Sequence, residues 1–147
     1  MGRFIVGNHV PQDARLRSIK RRVLWSFAEA AYKVPRLRWR FARSLTYREG
    51  AGDTWEFTEC HGAAGLKHGL WTLTIVPVAS DWGTARTCIH ELAHAVLGAC
   101  QREETFVGDA PDHHDEVFVA LRRLVKRHYL SERGPPVTCS RHCAPRA

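Results

Sequence analysis

Two histidines stand four residues apart with a glutamate directly after the first, His90-Glu91-Leu92-Ala93-His94, inside a largely apolar stretch. Four residues turn an α-helix by about 400°, so on a helix the two imidazoles lie one above the other and can grip one ion. The stretch is patterned as a helix, with Cys88, Ile89, Leu92, Val96 and Leu97 recurring at steps of three and four. Thr84 is the expected N-cap and Gly98 or Cys100 the expected stop. Such a helix cannot stand alone. Its apolar stripe must be covered by other elements, and a catalytic ion needs a third protein ligand from elsewhere in the fold. Glu91, one step on from His90, points beside the ion, where its carboxylate can take a proton from an activated water.

Candidates for the third ligand cluster downstream at Asp112, His113, His114, Asp115 and Glu116. His114, Phe118, Leu121 and Val125 fall at i, i+4, i+7 and i+11, so on a helix His114 shares the buried stripe and points inward. His113 lies about 100° round from it, and His113 or Glu116 is the alternative ligand. Asp112 is the expected N-cap of this last helix, which ends before Gly134-Pro135-Pro136. Neutral imidazoles suit Zn2+, which is borderline soft and accepts a tetrahedral site with one open position. Composition and spacing do not choose among His113, Tyr129 and Arg122 as the donor to an oxyanion. Glu103 and Glu104 either orient a ligand imidazole or face solvent.

The His90 to His94 motif, followed by His114-Asp115-Glu116-Val117-Phe118, resembles the SprT-like zinc metallopeptidases and related minimal zincins, in which HExxH is followed by a histidine in an HGxxF-type motif opening the next helix. Asp115 stands where family members usually have glycine, and the four-cysteine zinc ribbon that some of them append is missing. The resemblance covers Pro11 to Leu130 in layout, with motif-level identity in the last two helices alone. It implies that His90, His94 and His114 bind Zn2+, that Glu91 is the general base or acid, and that the substrate is a protein or peptide. In zincins an edge strand beside the active-site helix binds the substrate backbone, and Leu70 to Val76 suits that role by position.

The rest of the chain supplies the scaffold. Its 147 residues fit one domain, expected over 1–136, with a polar tail at 137–147. Leu16, Ile19, Val23, Phe27 and Ala30 mark a first helix between Pro11 and Val34, stopped by Pro35. Leu37, Trp39 and Phe41 alternate with Arg38, Arg40 and Arg43 as a strand whose arginines share an exposed face. Gly50 to Asp53 reads as the turn of a hairpin joining that strand to Trp55 through Thr58. His61 to Gly69 reads as a glycine-rich loop, and Leu70 to Val76 as a strand that Pro77 marks as an edge or a terminus. The expected fold is α+β and minimal zincin-like, in the order α-β-β-β-α-α, with a small antiparallel or mixed three-stranded sheet packed on helices.

Charge widens the range of partners. Lys and Arg total 22 against 15 Asp and Glu, and from Arg15 to Arg48 eleven basic residues accompany one acid, Glu29. That segment suits a polyanion such as nucleic acid, or is a solvated face. Five cysteines at irregular spacing argue against a disulfide framework. Cys139, His142 and Cys143 form a fragment of a second metal motif that would need Cys60 or His61 to complete it. No apolar run is long enough for a membrane span, and the expected protein is a cytoplasmic monomer. Two functions compete: a zinc metallopeptidase acting near nucleic acid, and a non-enzymatic module in which zinc staples two helices while the arginines bind nucleic acid. A structural ion has no need of Glu91, which separates them.

Overall fold

In the computed structural model, which describes residues 2–51, 53–101 and 114–135, the Asp13 carboxylate accepts the Leu16 N–H at 2.9 Å and starts helix α1, Ala14–Glu29. Leu16, Ile19, Val23 and Phe27 of α1 are buried, the stripe that their spacing predicts, with Ala30 as the C-cap. The chain is mixed α+β. Strand β1 (Arg3–Val6) precedes α1 in the chain, and β2 (Leu37–Phe41), β3 (Leu45–Ala51), β4 (Thr54–Glu59), β5 (Gly62–Lys67), β6 (Leu70–Ile75) and helices α2 (Asp81–Gln101) and α3 (Glu116–Tyr129) follow it.

The six strands form two sheets, ordered β1-β3-β4 and β2-β6-β5, so the single three-stranded sheet expected from the sequence is corrected. Three differences account for this. The turn near Gly50 joins β4 to β3, whereas β2 pairs in parallel with β6, from Leu37 opposite Trp71 to Phe41 opposite Ile75. The chain changes sheet after Phe41, where Gly7 N–H donates to Ser44 O at 2.8 Å and Arg43 N–H to Asn8 O at 2.8 Å. The stretch His61 to Gly69 is not a loop but β5, joined to β6 by a two-residue turn in which His68 and Gly69 have φ of 51° and 73°. Consequently β6 lies in the middle of its sheet, and Pro77 stands beyond its end. β2 and β5, not Leu70 to Val76, are the outer strands.

Trp71, Leu73 and Ile75 of β6 and Phe41 of β2 meet α1 and α2 in one core, which Phe118, Leu121 and Val125 of α3 complete. α2 packs against β5, β6, α1 and α3, and is the central rod. Three arginines of the basic segment work inside this fold. Arg15 pairs with Asp81 and donates to Val78 O at 2.7 Å, tying α1 to the start of α2. Arg40, on the same face of β2 as the exposed Arg38, is half-buried and donates to Thr74 Oγ1 across the sheet at 2.9 and 3.1 Å. Arg22 donates to the carbonyls of Tyr129 (2.8 Å), Ser131 (2.7 Å) and Arg133 (3.0 Å), capping the negative end of α3. Among the described residues, no helix is long and apolar enough to cross a membrane. The expected tail 137–147, with Cys139, His142 and Cys143, lies outside the described residues.

Replacing Arg22 by Met keeps the apolar stem and removes all three bonds to the end of α3. The expected loss is about 2 kcal/mol, read as a lower urea midpoint with unchanged slope.

Candidate metal centre

The helix that carries the histidine pair is anchored at its first turn. Ser80 Oγ accepts Gly83 N–H at 3.1 Å, so Ser80 performs the capping expected of Thr84. Thr84 is buried within the first turn, where its hydroxyl accepts Val78 N–H at 3.0 Å and donates to Val78 O at 3.2 Å. This double contact holds the start of α2 against the chain leaving β6. From there Ala85, Cys88, Ile89, Leu92, Ala93, Ala95 and Val96 turn into the core.

His114 reaches the site from outside α3, not from within it. Asp115 is the N-cap, its carboxylate accepting Phe118 N–H at 2.9 Å, and His114 is the residue before it. The helix thus begins at Glu116, and the cap expected at Asp112 falls outside the described residues. His90, His94 and His114 form one group whose ligating atoms all lie within 4.8 Å of one another. Ring centroids are 5.0 Å apart for His90 and His94, 4.8 Å for His90 and His114, and 5.0 Å for His94 and His114. Nε2 of His94 and Nε2 of His114 are 3.1 Å apart. A tetrahedral ion with metal–nitrogen bonds near 2.05 Å separates its donors by about 3.3 Å, so the pair fits such an ion. Phe118 lies against all three rings, its centroid 4.5 Å from that of His94, 4.8 Å from that of His114 and 5.1 Å from that of His90.

Glu91 is 4% exposed, with Oε1 4.0 Å from His90 Nε2. Its carboxyl lines an open cleft of about 370 Å³ together with His90, Thr87, Gly62 and Arg122. Gly62 is there because nothing larger fits: a Cβ would come within 2.8 Å of both Glu91 Cγ and Thr87 Cγ2. Burial, reinforced by the nearby His114, Arg122 and Lys126, pushes the His90 imidazole down to about 4, so it is neutral and able to ligate at pH 7. Arg122 Nη1 is 2.9 Å from His90 Nδ1, and a guanidinium can only donate. In this arrangement the ring proton belongs on Nε2, so ligation through Nε2 requires the proton to move to Nδ1 and Arg122 to turn aside. Burial, with Glu91 nearby, pushes the Cys88 thiol up to about 12, which keeps it protonated and out of the ligand set.

The structure therefore brings His90, His94, His114 and Glu91 together. Glu116 is exposed at the start of α3 and does not belong to the ligand group. His113, Glu103 and Glu104 lie outside the described residues. Of the possible oxyanion donors, Arg122 lines the cleft, whereas Tyr129 packs against Trp82 with centroids 5.6 Å apart and against the Arg22 guanidinium at 5.2 Å. The sequence reading missed His61, Gly62, Arg86 and Lys126 in the cleft wall. Helical spacing carries a signal for two of them, since Arg86 is four residues before His90 and Lys126 four after Arg122.

Gly62→Ala should displace the Glu91 side chain while leaving the histidine group in place. The expected result is a destabilisation of about 1–3 kcal/mol with metal content retained, measured by denaturant titration and by metal analysis of the purified variant. Compared with known proteins, the chain matches no family model, no curated protein and no solved structure.

Proposed function

We propose that the chain is a zinc-dependent metallopeptidase of SprT-like type, with Zn2+ held by His90, His94 and His114 and Glu91 as general base toward a protein or peptide substrate. One observation carries the reading: a carboxylate only 4% exposed lies directly beside a group of three converging imidazoles. A structural zinc site is closed by four protein ligands and has no use for such a neighbour, whereas hydrolysis needs three ligands, an open position and a base. Three imidazoles favour zinc over calcium or magnesium, which prefer oxygen donors.

When bound, such an ion supplies Lewis acidity, polarising a carbonyl and acidifying a water. The remaining roles belong to the chain. The Glu91 carboxylate takes the water's proton and delivers it to the departing amine. Arg122, with its fixed fork of donors at the cleft wall, faces the negative charge that develops on the carbonyl oxygen. β5 is the outer strand beside α2, and the substrate backbone adds along it as a further strand. Cys88 is a buried free thiol, which agrees with a reducing, cytoplasmic setting.

The test uses two substitutions. Glu91→Gln is expected to keep zinc and lower casein hydrolysis by a factor of about a hundred or more, and His114→Ala to lose zinc and activity together. Full activity in Glu91→Gln would sink the peptidase reading, as would purified wild-type protein without a bound transition metal.

A further inference from the structure

The wall of the cleft opposite Gly62 is basic. Arg86 from α2 and Arg122 and Lys126 from α3 face the same space, and His61 adds an imidazole just before β5. Among the described residues, one carboxylate, Glu91, lines the cleft with them. Among the described residues no ion pair joins Arg86 or Lys126 to a carboxylate. The Lys126 ammonium is held below the usual lysine range by partial burial and by Arg122 and Arg86, so the three cations are close enough to repel one another. Like charges gathered in a cleft raise the local potential and draw an anion into it. Arg122 is assigned to the carbonyl oxygen, which leaves Arg86 and Lys126 for another anionic group of the ligand.

We propose that Arg86 and Lys126 form a subsite for a carboxylate of the substrate, so that the preferred substrates are peptides carrying an acidic group next to the scissile bond. The inference rests on the peptidase reading and adds a substrate class to it. A cleft of about 370 Å³ holds a group of one or two residues. Its cations line one small cleft together with Glu91, whereas a nucleic-acid backbone calls for a track of cations along successive phosphates. The carboxylate has two possible sources, an acidic side chain or the free C-terminus, and both present the same chemistry to Arg86 and Lys126.

Three fluorescein-labelled heptapeptides separate these sources: one with a central Glu and an amidated C-terminus, one with Gln in its place and the same amide, and one with Gln and a free C-terminus. Binding is read by anisotropy on zinc-loaded Glu91→Gln protein, which holds peptide without cutting it. At least one carboxylate peptide should bind about tenfold tighter than the neutral one, and which of the two does so identifies the source. Adding Arg86→Gln and Lys126→Gln should reduce that preference below about threefold with zinc content unchanged. Should the combined variant lose zinc, Arg86→Gln alone, at an exposed position, makes the same comparison. Equal binding of all three peptides overturns the subsite, as does a preference that survives the substitutions. So does displacement of every peptide alike by a single-stranded oligonucleotide whose own binding needs Arg86 and Lys126. Casein hydrolysis by the wild type is scored separately. Hydrolysis without an acidic preference removes the subsite alone, and a preference without hydrolysis removes the peptidase reading alone.

Discussion

Phe118 is buried where α2 and α3 meet, and its ring lies against His90, His94 and His114 at once. Two of these histidines belong to one helix, while the third precedes another that follows it in the chain. Nothing in the backbone of either helix obliges the three rings to converge. Convergence comes from burying an aromatic side chain against all of them, an apolar contact that also joins α3 to the core through Leu121 and Val125. The histidine group is therefore an extension of the hydrophobic core, with the imidazoles forming its last layer before solvent.

The second constraint is closeness between β5 and α2. Glu91 is buried because the strand beside it begins with glycine and continues with Ala63 and Ala64, both buried. Small residues let the sheet approach the helix until the carboxyl is shut off from bulk water yet still borders the cleft. A carboxylate in that setting has few water competitors for a proton, which is what the proposed general-base role would require. The same small residues made β5 hard to recognise, since glycine and alanine are depleted in strands and glycine is a mark of turns.

How much the sequence disclosed follows from this contrast. Large apolar side chains at helical spacing marked α1, α2 and α3 correctly, because burying Leu, Ile, Val and Phe on one stripe leaves few alternatives. The histidine group was legible for a related reason: i, i+4 spacing on a helix is a geometric statement in itself. His114 was identified from a buried helical stripe, yet it lies one residue before the cap of α3 and reaches the site by packing on Phe118. Helical phase and the entry of the chain into the helix happen to aim it the same way. Strand pairing was not legible. That β2 joins β6 in parallel across an intervening hairpin is a decision about distant partners, to which local alternation of side chains is blind.

Arg22 and Asp115 hold α3 from opposite ends, one reaching from α1 to its final carbonyls and the other closing its first turn. A rod clamped at both tips has little freedom to slide or roll, so the imidazole attached just ahead of it inherits the rigidity of the whole domain. Local loosening around the three histidines and collapse of the tertiary structure thereby become parts of a single cooperative event.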